Sequence, residues 1–138
     1  MSTDALNTLV TGAIWRAEQL EEQRLASAPL AWAEVSALEE QLAGVLPATL
    51  PEGRIARRGA VRAALKARDY ARALALTQCY LADEEAPQSL RAALREILAE
   101  DARALASRFR YAAKHHAIDD ARLMARRLQQ GGAFGLAA

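Results

Sequence analysis

GRIARRGAVRAALKARDYARALALTQCYL, residues 53–81, holds the densest charge in the chain beside its most continuously apolar run. At 3.6 residues per turn, Arg54, Arg58, Arg62 and Lys66 recur every fourth residue and form a ladder along one helix side, flanked by Arg57 and Arg68. Val61 and Leu65 fall within that basic face. Ala56, Gly59, Ala60, Ala63, Ala64 and Ala67 fill the other with side chains small enough for close backbone approach. Like charges at this spacing repel by about 0.2–0.5 kcal/mol per pair, so carboxylates or phosphates are expected opposite the ladder. Intramolecular acids and a partner's surface are both candidates for that counter-charge.

The next helix is predicted from Tyr70 to about Ala82. It places Tyr70, Ala73, Leu74, Thr77 and Leu81 on one side and Ala71, Ala75 and Cys79 on the other. Apolar nearly all round, it reads as the buried central element, with the basic helix as the first half of its hairpin. Asp69-Tyr70-Ala71-Arg72-Ala73-Leu74 resembles the turn and second-helix start of a tetratricopeptide repeat, where an acidic-aromatic pair precedes an Ala-Leu packing position. The chain departs from that family in the first helix, which has Ala60, Val61 and Ala64 where the family has large residues and a glycine, and its closing proline is displaced to Pro87. The resemblance covers about one hairpin, residues 54–87. It implies a helical-hairpin scaffold that binds peptides or proteins.

Upstream, Ser2, Thr3 or Asp4 can cap a first helix to about Ala26, with Leu6, Leu9, Val10, Ala13, Ala17 and Leu20 on one stripe. Trp15 lies opposite that stripe, so it is either covered by another part of the fold or left as a contact anchor. Pro29 suits the first turn of a second helix reaching Val45, and the short connection makes an antiparallel hairpin. Pro47 and Pro51 mark an internal boundary near residues 46–53, and Thr49-Leu50-Pro51-Glu52 reads as a capping box.

Downstream, Asp83-Glu84-Glu85 reads as a solvated loop. A long helix is predicted from Pro87 to about Lys114, striped by Leu90, Leu94, Ile97, Leu98, Leu105, Phe109 and Ala112, with Asp101 and Arg108 inside it and expected to be paired. His115-His116-Ala117 is expected to turn the chain into a last helix, Ile118 to Gln130, that Gly131-Gly132 stops. The expectation is therefore all-α: about six helices in three antiparallel hairpins, stacked as a tetratricopeptide-like short solenoid or a compact bundle. Residues 1–132 form one domain, and 133–138, with Phe134 and Leu136, a flexible tail.

One cysteine in 138 residues cannot form an internal disulfide, and no apolar run is long enough for a signal peptide or a membrane span, so a bacterial cytoplasm is the expected setting. The net charge of +1 hides a segregation: residues 1–52 carry eight acids against Arg16 and Arg24, 53–81 seven bases against Asp69, 82–102 six acids to two bases, and 103–138 seven bases to two acids. Such alternation speaks against a simple nucleic-acid binder. His115, His116 and Cys79 lack the spacing of a metal site, no phosphate loop or nucleophile elbow is present, and the adjacent pairs Glu21-Glu22 and Glu39-Glu40 diverge on a helix. No cofactor, metal, catalytic residue or membrane partner is expected.

The functional expectation is a non-enzymatic protein-binding domain, adaptor or chaperone-like. It would hold an acidic or amphipathic partner segment against Arg54, Arg58, Val61, Arg62, Leu65 and Lys66, with Trp15 as an anchor. A nucleic-acid-associated regulator using the arginine ladder, and a structural homo-oligomer, stay open as alternatives.

Overall fold

The computed structural model describes the backbone of residues 1–136 and the side chains of residues 1–130. Among these there are five helices and no strand: α1 (Thr3–Glu22), α2 (Ala28–Val45), α3 (Pro51–Lys66), α4 (Tyr70–Leu81) and α5 (Gln88–Leu136). The chain divides into two compact units, residues 1–99 and 100–138.

Within the first unit α1 packs on α2, α2 on α3 and α3 on α4. The turns are specified locally. The Ser2 hydroxyl caps α1 by accepting from the Ala5 N–H, and Asp69 caps α4 by accepting from the Arg72 N–H. Helices α1 and α3 end in the same way: Arg24 N–H donates to Glu21 O and Leu25 N–H to Leu20 O, while Arg68 N–H donates to Leu65 O and Asp69 N–H to Ala64 O. These paired reverse bonds are the Schellman arrangement, and they force a left-handed residue after the cap. Glycine would take that conformation freely; here Arg24 (φ 55) and Arg68 (φ 61) do so.

The central helix is α3, not α4. Ala56, Ala60, Val61 and Ala64 are fully buried and Ala63 nearly so, because a row of small side chains lets α2 come close enough for Ser36 Oγ to donate to Ala60 O at 2.8 Å. By contrast α4 buries only Ala73, Leu76, Thr77 and Tyr80, leaving Leu74 52% exposed and Cys79 open. Its second apolar side meets no neighbour, which continuous apolarity alone could not reveal. Leu90, Leu94 and Ile97 of α5 complete the main core with Leu6, Val10, Leu42, Ala60, Val61, Leu76 and Tyr80. A smaller cluster gathers Trp32, Val35, Ala13, Ala17 and Ala63.

Three local expectations are corrected. The N-cap of α3 is Leu50, with no side-chain cap bond, so Thr49-Glu52 forms no capping box. Arg54 and Arg57 hold the preceding loop instead: Arg54 Nη1 donates to Thr49 O (2.8 Å) and Ala48 O (3.3 Å), and Arg57 Nη1 to Leu46 O and Gly53 O (both 2.8 Å). Second, α5 runs unbroken through His115-His116-Ala117, so five helices replace six and the third hairpin does not form. Histidine is a middling helix former and nothing there breaks a helix. Third, Gly131 and Gly132 lie inside α5 as described, since glycine in a helix costs about 1 kcal/mol without forbidding it. The tail expected at 133–138, with Phe134 and Leu136, concerns side chains outside the described residues.

Candidate interaction surface

The fold disperses the ladder read from the sequence. Arg54 is half-buried and spent on the loop carbonyls before α3. Val61 is fully buried, and half-buried Leu65 packs against the main core, so the partner-facing role expected of Val61 is corrected: it is core. Lys66 turns to α1 and α2, its Nζ 3.5 Å from Glu21 Oε2 and 4.3 Å from the centroid of the Trp32 ring, whose Nε1 donates to the same carboxylate oxygen at 3.1 Å. Arg57 is buried, its guanidinium 5.6 Å from the centroid of the Tyr80 ring, and burial pushes the Tyr80 hydroxyl up to about 12.

Arg58 and Arg62 remain. Neither makes a hydrogen bond or an ion pair among the described residues, and Arg62 is exposed. Three intramolecular acids pair with other bases: Glu34 with Arg16, Glu21 with Lys66, and Glu40 with Arg72, whose Nε also donates to Ser36 Oγ. Ile55 lies three residues before Arg58 and seven before Arg62, hence on the same face, and is 56% exposed. The sequence reading missed it by assigning the apolar component of this face to Val61. Its i, i+3, i+7 spacing to the two arginines was the available signal. Trp15 is 63% exposed, without a covering element among the described residues.

Beside this face sits a buried acid that sequence periodicity did not pick out. Glu39 is 6% exposed while its neighbour Glu40 reaches Arg72 at the surface. Gly59 makes room for it: a Cβ there would stand 2.5 Å from Glu39 Oε1. Glu39 has no hydrogen-bond or ion-pair partner among the described residues, and burial raises its carboxyl from 4.5 to about 7. The folded form holds its proton more tightly than the unfolded chain, so stability is greatest below pH 4.5 with respect to this group, declines between 4.5 and about 7, and is level above. At about 1.36 kcal/mol per unit the shift is worth up to about 3 kcal/mol. Glu39→Gln is expected to raise stability by about 2 kcal/mol at pH 8 and to leave it nearly unchanged at pH 4. Urea titrations at the two pH values check this; equal gains at both would show that burial does not raise the Glu39 carboxyl.

An open cleft of about 420 Å³ lies at the turns after α1 and α3 and is lined by Glu21, Arg24, Trp32, Lys66 and Arg68 among others. No group of three or more His, Cys, Asp or Glu among the described residues is placed to hold a metal. No described helix is long and apolar enough to cross a membrane. No protein-family model matches the chain, and no curated protein or solved structure is similar to it.

Proposed function

We propose that residues 1–99 form a non-enzymatic protein-binding domain, adaptor or chaperone-like, that seats an acidic, amphipathic segment of a partner on the outer face of α3. The observation that carries the reading is the pair Arg58 and Arg62. They are like charges one turn apart on α3, and neither pairs with an acid among the described residues. Ile55 gives the same face an apolar contact that a nucleic-acid backbone would not use, and this favours a protein over a polyanion. The two hairpins α1–α2 and α3–α4 are the scaffold, as the tetratricopeptide-like turn at 69–74 implies, and a cytoplasmic setting suits it.

The test is capture of a partner from nuclease-treated native lysate. The wild-type chain is expected to retain an acidic polypeptide that Arg58→Glu/Arg62→Glu does not, and Ile55→Asp is expected to weaken the same association. Retention that disappears with nuclease, and loses affinity steeply with salt, would favour the nucleic-acid reading instead.

A further inference from the structure

In residues 100–130 every side chain except Asp101 and Leu105 is exposed, so this part of α5 has no packing neighbour among the described residues of its own unit. It nonetheless presents Phe109 (68% exposed), Met124 (60%) and Leu128 (74%) to solvent. Ala102, Ala106, Phe109, Ala113, Ala117, Ala121, Met124 and Leu128 follow one another at spacings of three or four residues. Their mean spacing is about 3.7, close to the 3.67 of an eleven-residue repeat, so the stripe stays straight along one face about 120° wide.

We infer that this stripe is a homodimer interface in which α5 pairs antiparallel with α5 of a second copy. The positions are symmetric about residue 115. Turning one helix end for end brings Ala102 level with Leu128, Ala106 with Met124, Phe109 with Ala121, and Ala113 with Ala117, so every large side chain meets a small one. A two-fold axis at residue 115 makes the patch complementary to itself. Arg110 and Asp120, the two charges within the arc of the stripe, come level in the same pairing, once on each side of the axis.

The area is adequate. At 1.5 Å per residue residues 102–128 span about 40 Å, and a 120° arc of a helix about 10–12 Å across offers roughly 14 Å of accessible width, hence about 550 Å² per copy. The pair buries about 1,100 Å², just above the roughly 1,000 Å² expected of a specific contact. Arg108, Arg122 and Arg126 lie well beyond the stripe, and with seven bases against Asp119 and Asp120 over residues 103–128 each copy brings a net like charge to the pair. That residual repulsion gives the dimer a signature. It should tighten with salt, because screening lengths fall from about 10 Å at 0.1 M to about 3 Å at 1 M, whereas a complex of this basic helix with an acidic partner would loosen.

Sedimentation equilibrium of the full chain is expected to show a monomer–dimer equilibrium whose Kd falls at least threefold between 0.05 and 0.5 M NaCl. Ala113→Glu/Ala117→Glu should give monomer mass at concentrations where the wild type is dimeric, with unchanged thermal unfolding of the core. Orientation is read by oxidation in a Cys79→Ser background. Ala113→Cys/Ala117→Cys should cross-link into a covalent dimer, whereas Ala106→Cys alone should not, its counterpart lying about 27 Å away along the axis. A wild-type chain that stays monomeric up to 1 mM, a dimer that weakens with salt, or efficient cross-linking through Ala106→Cys alone would each overturn the proposal.

Discussion

Gly53→Ala is expected to destabilise residues 1–99 by about 3 kcal/mol, at the upper end of what overpacking a tight site costs. A Cβ at residue 53 would stand 2.0 Å from Pro47 O, 2.8 Å from Pro47 C and 2.9 Å from Leu46 O. These are backbone atoms, so no rotamer change can relieve the clash. The same carbonyls are tied down: Leu46 O accepts from Arg57, and the Leu50 N–H donates to Pro47 O. Moving the loop therefore breaks bonds that hold the start of α3, the helix against which α2 and α4 pack. Gly59→Ala offers an internal comparison. The nearest contacts of its Cβ are Glu39 side-chain atoms, Oε1 at 2.5 Å and Cδ at 2.8 Å, rather than backbone, so its cost should be smaller. Urea midpoints measured side by side check the order; a Gly53→Ala cost under about 1 kcal/mol would mean that the loop at 46–50 is not held as described.

Leu94→Ala is expected to cost about 2–5 kcal/mol, because Leu94 is fully buried among the core side chains and its removal leaves a cavity that surrounding helices fill only in part. Leu74→Ala should cost about 0.5–1 kcal/mol, since Leu74 is 52% exposed and gives up little buried area. The contrast is informative because sequence alone places Leu74 at the heart of a central, apolar helix. Comparable losses from the two substitutions would return α4 to the centre of the fold.

What could be read from the residues followed local chemistry. Ser2 and Asp69 mark helix starts that the structure caps through their side chains, and Pro29 stands in the first turn of α2. The start of α4 at Tyr70 also follows from the residues, whereas periodicity placed Trp15 opposite the apolar stripe and left open whether it was covered. Failures came where a tertiary partner decides. Leu74 sits in an apolar run and Val61 among arginines, yet Val61 is fully buried in the main core and Leu74 is 52% exposed. A four-residue repeat of bases places Arg54, Arg58, Arg62 and Lys66 on one side of α3, but side-chain reach then separates them: Arg54 to the loop carbonyls, Lys66 to Glu21 and Trp32. Glu39 was illegible for the same reason, since its burial depends on Gly59 of a facing helix rather than on its own neighbours. The turn expected at His115 failed differently, through the absence of any true breaker in a helix-forming run.

The claim that matters most is that Arg58 and Arg62 carry charge the fold itself does not use. The urea midpoint of Arg58→Glu/Arg62→Glu tests it directly, beside the wild type at pH 7 and low salt. Without intramolecular carboxylates to oppose, the reversal should leave stability unchanged or slightly raised, within about 0.5 kcal/mol, because exposed charges contribute little. A loss of more than about 2 kcal/mol, well beyond the worth of exposed pairs, would show that the two arginines are held by acids of this chain and would contradict the assignment of that face to a partner.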